Sequence, residues 1–409
     1  MFSLPSSYCS FGSSAGRAMT EKNLDIVIYG ATGFTGSLCV KYLKENYPNT
    51  KIAIGGRNKK KLQGVAEKNH LDCEILVADG NDSDALDKIT KRARVVLSTA
   101  GPFHRYGSKM VASCVKNSSH YVDITGENFW VREMITKHHE EANKKGLRIV
   151  PACGYDSIPS DLGVFFAATS FGEPLKSIFS YHTWKGEASG GTIETMFAIR
   201  DLKIDRSAFG PFSLNPKNSI TDEQKKLTSD KVSVEKNSTI NAWTGPFVMA
   251  AANTRVVRRG AALLAENGKG YGKNFVYKES AYYSKKRKAY TTTLMLGVLG
   301  FVIMTPLRRL VRPLLKQPGQ GPSQAVMDSG FFKCKLVATG ESGKQKTYVM
   351  AGSGDPGYKV TSKFVCESAL SLLGDHAKLP GGLGYGGILT PSSGLGGVLI
   401  DRLKNVGIL

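Results

Sequence analysis

An apolar run, Leu24-Asp25-Ile26-Val27-Ile28-Tyr29, passes directly into Gly30-Ala31-Thr32-Gly33-Phe34-Thr35-Gly36, and a helical pattern follows. Three glycines spaced G-x-x-G-x-x-G between a strand and a helix restrict the chain to a narrow set of folds. Gly30 permits a tight turn out of the strand, Gly33 lets the backbone approach a pyrophosphate, and Gly36 lets the helix pack close to the sheet. The helix beginning near Phe34 offers unpaired N–H groups and the positive end of its dipole to phosphates. The expected dinucleotide-binding residues are therefore Gly30, Ala31, Thr32, Gly33, Phe34, Thr35 and Gly36. The same turn elsewhere is only a packing device, so the strands that follow decide between the two.

The next apolar run, Lys51-Ile52-Ala53-Ile54-Gly55-Gly56-Arg57, lies about 20 residues on, where a βαβ unit places its second strand. An acid there would accept the ribose 2′-hydroxyl of NAD, but the strand ends in Gly55-Gly56-Arg57 without one. A guanidinium suits a 2′-phosphate, because its planar fork donates two charge-assisted hydrogen bonds. Lys59, Lys60 and Lys61 add positive charge beside it. The expected cofactor is NADP(H). Further strands are expected at Glu74–Asp79, Ala93–Pro102, His120–Glu127 and Leu147–Ala152. Helices are expected between them at Leu38–Asn46, Lys60–Asn69, Ser83–Thr90, Gly107–Lys116 and Asn128–Lys145. This alternation implies an α/β fold with a doubly wound, mostly parallel sheet, the Rossmann arrangement. Ligands of such sheets bind beyond the carboxyl ends of the strands. That places Asp79 near the adenine and Thr99, Ala100, Gly101 and Pro102 beside the nicotinamide ribose.

Charge and composition narrow the partners. Lys and Arg number 55 against 34 Asp and Glu, a net charge of +21, which favours phosphorylated cofactors or acidic lipid surfaces. No zinc knuckle or RNA-recognition motif accompanies that charge, so no nucleic acid partner is expected. The seven cysteines contain no C-x-x-C pair and the seven histidines no H-x-x-x-H pair, so neither disulfides nor a metal are expected. Cys153 is expected beside the cofactor cleft, and His138 and His139 are expected to face solvent. Residues 1–22 read as a targeting or disordered segment, since the first 20 hold six serines, one arginine and no acid.

Between Lys288 and Arg308 no residue is charged, and the core Thr293–Met304 is apolar. Lys285-Lys286-Arg287-Lys288 precede it, and Arg308, Arg309 and Arg312 follow. A spanning helix needs about 20 apolar residues, more than this segment supplies once its threonines, glycines and Pro306 are discounted. The pattern fits an interfacial or re-entrant helix, an apolar membrane-proximal insertion whose basic flanks meet anionic headgroups. A buried core helix or a homodimer contact is the alternative.

The expected organisation is a Rossmann domain over 23–152 and a second α+β domain over 153–284 and 321–375. The basic-flanked apolar segment takes 285–320, and a tail, 376–409, completes the fold. Beyond Pro151, Ser160 or Asp161 is expected to cap a helix over Leu162–Ser170, and Lys176–Gly186 reads as a strand. Ser189-Gly190-Gly191-Thr192 leads into a helix from about Ile193 to Asp201. Residues 207–238 read as a polar surface loop with a short helix. Trp243–Leu264 reads as a helix whose Arg255, Arg258 and Arg259 either grip an acidic substrate or, for at least two of them, face solvent. A hairpin is expected over Phe331–Thr339 and Thr347–Ala351, an amphipathic helix over Tyr358–Leu373, and a last helix over Val398–Lys404. Tyr155, Asp156 and Asp123, all expected at strand ends over the cleft, are the candidate catalytic groups for proton transfer.

Seven motifs carry a family resemblance: GATGFTG (Gly30–Gly36), GGR (Gly55–Arg57), TAGPF (Thr99–Phe103), YVDITGE (Tyr121–Glu127), GYDSIPSD (Gly154–Asp161), QGPSQ (Gln320–Gln324) and the GGILTPSSGLG tail. Together they resemble the saccharopine dehydrogenase-like oxidoreductases from about Leu24 to the C-terminus. The resemblance implies a Rossmann domain and a second α/β domain. It also implies placement on membranes, lipid droplets or mitochondria, and bacterial relatives that are trans-acting enoyl reductases in glycolipid synthesis. It carries over no catalytic residue. Three functions follow as expectations. The first is an NADP(H)-dependent oxidoreductase acting on a small-molecule or lipid substrate at a membrane surface, in lipid metabolism. The second is a saccharopine reductase, which needs at least two of Arg200, Arg255, Arg258 and Arg259 in the cleft. The third is a dinucleotide-binding protein of lipid surfaces without turnover.

Overall fold

A computed structural model describes residues 22–187, 204–230, 233–312 and 321–409, together with Phe197, Leu202 and Leu315. The first 20 residues, the Ser189–Thr192 turn, Arg200 and Gln320 lie outside the described residues. So does nearly all of the helix expected after that turn.

Six strands follow the expected pattern: β1 (Leu24–Tyr29), β2 (Ile52–Gly56), β3 (Glu74–Val77), β4 (Ala93–Ser98), β5 (His120–Asp123) and β6 (Arg148–Val150). Between them run α1 (Phe34–Asn46), α2 (Lys59–Lys68), α3 (Ser83–Thr90), α4 (Phe103–Tyr106), α5 (Ser108–Lys116) and α6 (Asn128–Lys144). After β6 comes α7 (Ile158–Phe171), and then the strands of a second sheet: β7 (Leu175–Lys185), β8 (Glu235–Asn237), β9 (Ala242–Gly245), β10 (Val276–Tyr283), β11 (Phe331–Gly340) and β12 (Gln345–Ser353). The last strand, β13 (Gly387–Ile388), returns to the first sheet, whose order is β13-β6-β5-β4-β1-β2-β3. Every pairing in it is parallel. The order reverses between β1 and β4, and the crevice at such a reversal is where ligands of doubly wound sheets bind.

The C-terminal tail closes the β6 edge and is locked there by one side chain. Arg148, fully buried, donates to the carbonyl oxygens of Gly394 (2.9 Å), Pro380 (3.0 Å) and Gly382 (2.8 Å). Its guanidinium also lies over the Tyr385 ring. Three loop carbonyls without water would be costly alone; one planar cation satisfies all three.

The second sheet has the order β12-β11-β7-β10-β9-β8. Only β7 and β10 are parallel to each other. Register places Ile178, Ser180 and His182 of β7 on one face with Tyr277, Glu279 and Ala281 of β10 and Cys334, Leu336 and Ala338 of β11. That face is buried against α7 and the helix Ala250–Glu266. The helix Thr361–Ser371 ties the two sheets together by packing on α1. Its buried Glu367 accepts from the Tyr42 and Tyr47 hydroxyls, 2.6 Å each, and from Arg402 Nε at 2.7 Å. A single apolar core thus runs from β1 and α1 through α7 into β11.

Several expectations fail here. Trp243 lies in β9, not in a helix, and the helix begins only at Ala250. Strands β8 and β10 had no counterpart in the reading of the sequence. Ser160 and Asp161 do not cap α7, because Ser157 precedes its first turn. Both are buried inside that turn, Ser160 donating to Glu279 and Asp161 accepting from Ser392. The helix Thr361–Ser371 is buried on nearly every side instead of amphipathic. His139 does not face solvent; its Nδ1 accepts from the Ile388 amide at 3.0 Å, and burial pushes its pKa down to about 4.

The apolar segment is a helix, Lys286–Met304, and only Ala289 in it is buried. Leu294, Met295, Val298, Phe301 and Met304 stand 55–71% exposed. Among the described residues no helix is long and apolar enough to cross a membrane. The buried-core alternative is therefore excluded.

Replacing Arg148 with Met leaves the three tail carbonyls unpaired. The expected result is a loss of about 2–4 kcal/mol of unfolding free energy, measured by urea titration. An unchanged midpoint would show that the tail does not depend on this cation.

Candidate dinucleotide and active site

Gly30 leaves β1 at φ +89°, the left-handed region that favours glycine. A Cβ there would lie 2.8 Å from the Ala100 amide nitrogen and 2.9 Å from Thr99 Oγ1. A Cβ on Gly36 would collide with the Gly30 carbonyl oxygen. Thr99 closes the turn from β4 by donating its hydroxyl to Gly30 O at 3.1 Å. Gly33 precedes α1 and no side chain caps that helix. The end of α1 is therefore a bare backbone cradle with a positive dipole, the chemistry that a pyrophosphate requires. A side chain on Gly30 or Gly36 would push the turn away from β4 and α1 and so distort it. Ala31 is buried, Thr32 is exposed, and Gly33, Phe34 and Thr35 are half-buried along the rim. Phe34 packs edge-on against Tyr358 at 5.2 Å, and its ring lies so close to Gly321 of the QGPSQ motif that a Cβ there would have to displace it.

Arg57 is exposed directly after β2, with Lys59, Lys60 and Lys61 exposed beside it. Asp79, also exposed, follows β3 and accepts from the Asn81 amide at 2.9 Å. Tyr29 donates to the Ala78 carbonyl at 3.1 Å and so ties the end of β1 to this corner. These residues lie together at the carboxyl ends of β1, β2 and β3, where an adenosine would be bound if the crevice takes a dinucleotide.

At the opposite half, Thr99, Ala100, exposed Gly101 and buried Pro102 run from β4 into α4. Asp123 ends β5 fully buried. Its Oδ1 accepts from the Thr125 amide (2.9 Å) and the Ala152 amide (3.0 Å), while Oδ2 has no partner. Ala152 is thereby held at φ +62°, a strained position for a residue with a Cβ. Burial pushes the Asp123 carboxyl up to about 7. Asp156 reaches the same edge from the loop before α7. Its Oδ2 lies 3.8 Å from where a Cβ on exposed Gly126 would stand, and burial pushes its carboxyl up to about 6. Asp156 is half-buried and so borders solvent. Tyr155 points the other way, edge-on to Phe332 of β11 at 5.4 Å, its hydroxyl buried without a partner. Cys153 does sit at the end of β6, but burial pushes its thiol far up, and a fully buried thiol is inert.

Two residues at this edge escaped the reading of the sequence. Glu127, 1% exposed, accepts from the amides of Phe103 (2.9 Å) and His104 (2.8 Å) and contacts His104 Nδ1 at 2.7 Å. The only sequence signal was a carboxylate ending YVDITGE and an imidazole following TAGPF. A second buried polar cluster lies under the other sheet, where Glu279 accepts from Ser160, Asn253 and Tyr277. His182 stands 3.6 Å from that carboxylate. Burial opposes its charge, but Cys334 and Glu279 outweigh it and push its pKa up to about 10.

The arginines of the helix Ala250–Glu266 are neither in solvent nor free for a substrate. Arg255 donates to Phe209 O and pairs with Asp230 at 2.7 Å. Arg258 donates to Pro211 O and pairs with Asp230 at 2.9 Å, and Arg259 bonds Leu214 O and Ile388 O. Their partners are backbone carbonyls and Asp230, so they hold the chain together. Elsewhere, a concavity of about 500 Å³ lined by Lys269, Lys378 and Gly381 lies at the start of β6, at the end of the sheet away from the glycine turn. Backbone geometry, not cavity size, therefore locates the site. Among the described residues no cluster of ligands for a metal is present.

The sequence model of the saccharopine dehydrogenase NADP-binding domain matches residues 26–150. Over 414 aligned residues the chain is 34% identical to a putative trans-acting enoyl reductase of Mycobacterium tuberculosis, covering 95% of this chain and 97% of the relative. The chain belongs to the saccharopine dehydrogenase-like family. A trans-acting enoyl reductase of Mycobacterium ulcerans is 32% identical over the same shares of the two chains. In fold, this family member is similar to yeast saccharopine dehydrogenase (L-Glu forming), with a TM-score of 0.52 and 12% identity over 94% of this chain and 98% of that one. It is an oxidoreductase with a nicotinamide dinucleotide site.

Burial of Asp123 has a consequence for stability. Its folded pKa of about 7 lies above the unfolded value of about 3.9, so between these limits the native state holds the extra proton. Stability therefore falls as pH rises from about 4 to about 7 and levels off above. Asp156, at about 6, adds to the fall over the lower part of that range. Asp123→Asn keeps the Oδ1 acceptor and is expected to flatten the profile, measured as melting temperature against pH. A variant profile parallel to wild type would refute the assignment.

Proposed function

We propose that this oxidoreductase uses NADPH to reduce a polarised double bond in an acyl lipid, working at a membrane or lipid-droplet surface. The exposed apolar helix carries this reading. Its row of Leu294, Met295, Val298, Phe301 and Met304 is flanked by Lys285–Lys288 on one side and Arg308 and Arg309 on the other. An exposed apolar helix between basic ends matches a headgroup boundary, where the side chains enter acyl chains and the cations meet anionic lipid. The reduced class, a conjugated acyl compound, is suggested by relatives named trans-acting enoyl reductases. Localisation to lipid droplets or mitochondria is part of the same proposal.

When bound, the cofactor supplies the hydride. The chain supplies the rest. The bare end of α1 holds the pyrophosphate, and Arg57 with its lysines favours the 2′-phosphate over a free hydroxyl. The Thr99–Pro102 segment fixes the ribose beside β4. Asp156, its carboxyl raised by burial, is the group placed to pass a proton to a substrate at this edge. Asp123 acts from behind it by fixing the ends of β5 and β6, whereas Tyr155 faces Phe332 and takes no part.

Saccharopine reduction is disfavoured by Arg255, Arg258 and Arg259, already bonded to carbonyls and Asp230. A protein that binds the dinucleotide without turnover, and a homodimer seated on the apolar helix, are the remaining alternatives, and both are outcomes of the tests below.

With NADPH deuterated at C4 and a long-chain 2-enoyl thioester, the product is expected to gain one deuteron by mass spectrometry. No label in that compound or in any component of a membrane lipid extract would leave binding without turnover. Asp156→Asn is expected to lower turnover about 10–100-fold with NADPH affinity unchanged. Arg57→Ala is expected to weaken NADPH about 10–100-fold and leave NADH unaffected; equal loss of both would remove the 2′-phosphate contact. Wild type is expected to float with phosphatidylserine vesicles, and Leu294→Glu with Phe301→Glu to remain in solution. Flotation by neither, with a dimeric mass that the double variant abolishes, would assign the helix to self-association.

A further inference from the structure

His104 carries a feature that hydride transfer, as derived above, does not use. Its imidazole is held at one nitrogen only. Glu127, buried at the head of α6, accepts from the His104 amide and stands 2.7 Å from its Nδ1. A carboxylate can only accept, so Nδ1 carries a proton, and in the neutral ring Nε2 is left as a bare acceptor. The His104 side chain is 8% exposed and Nε2 has no partner. Buried polar atoms are almost always paired, and an exception marks a strained or a binding position. Phe129, 5.7 Å away ring to ring, flanks the imidazole.

His104 lies two residues past Pro102, on the segment that leaves β4 for the nicotinamide half of the crevice. The nicotinamide carries one strong donor at its rim, the carboxamide NH2. We propose that His104 Nε2 accepts a hydrogen bond from the nicotinamide carboxamide, with Glu127 as the positioning residue that sets the tautomer. This rests on the dinucleotide reading of the site. The contact fixes the rotation of the ring about its glycosidic bond, and so which face of C4 meets the substrate. No proton or electron moves in it.

The test is binding to the full-length protein, read by calorimetry, with ligands that differ only at this group. NADP+, its 3-acetylpyridine analogue, in which a methyl ketone replaces the carboxamide, and 2′-phospho-ADP-ribose, which lacks the ring, are compared on wild type, His104→Leu and Glu127→Gln. Wild type is expected to bind NADP+ about fivefold more tightly than the analogue. His104→Leu is expected to abolish that preference, leaving 2′-phospho-ADP-ribose binding unchanged; Glu127→Gln is expected to reduce the preference. Retention of the fivefold preference in His104→Leu, or equal weakening of all three ligands by it, overturns the proposal. If His104→Leu does not fold, His104→Gln, which keeps an acceptor oxygen, is expected to restore the preference, and its failure to do so counts equally against it. Wild type that binds none of the three ligands would instead refute the dinucleotide reading itself.

Discussion

Everything at this site depends on two backbones being allowed to touch. The turn after β1 passes so near α1 that the carbonyl of Gly30 occupies the space a side chain on Gly36 would need, and Gly30 itself lies against Thr99 and Ala100. That closeness brings the end of α1 to the mouth of the crevice between β1 and β4 and leaves its amides for a ligand. The Thr99 hydroxyl holds the two halves of the crevice in register from the far side. A side chain on either glycine would force these backbones apart, which is why so short a motif says so much.

The second constraint is the way the chain keeps charge out of the core while using it as cement. Arg148, Arg258 and Arg259 are buried, and each finds carbonyl oxygens of loops as partners. Burying a cation is expensive unless its donors are met, and guanidinium has five in one plane. The tail, the irregular segment around Leu214 and the second sheet are thereby held against the first. The net charge of +21 is therefore not all surface. The helix Lys286–Met304 differs from this scheme in leaving its apolar side chains exposed.

The first sheet was legible because its strands are short apolar runs buried on both faces, and such runs have few other readings. The hairpin of β11 and β12 and the strand β7 were legible from their alternation. Strand β10 was not, because Lys278 and Glu279 interrupt it, and Glu279 is tolerated only through Ser160, Asn253 and Tyr277, residues far apart in sequence. Arg255, Arg258 and Arg259 share one helical face, but spacing alone cannot distinguish solvent, substrate and loop carbonyls as their partners. The positions of the glycine turn, Arg57, Asp79 and Thr99–Pro102 at the carboxyl ends of the strands were legible from their order along the chain. The Glu127–His104 pair was not, since 23 residues separate them and only the parallel pairing of β4 with β5 brings them together.

The account stands or falls on where the cofactor lies. A crystal structure grown with NADPH is expected to place the pyrophosphate on the first-turn amides of α1, the 2′-phosphate at Arg57 and the nicotinamide between Thr99–Pro102 and Gly126. Density for the dinucleotide anywhere else on the protein, or a crevice at β1 and β4 that stays vacant at saturating NADPH, would contradict it.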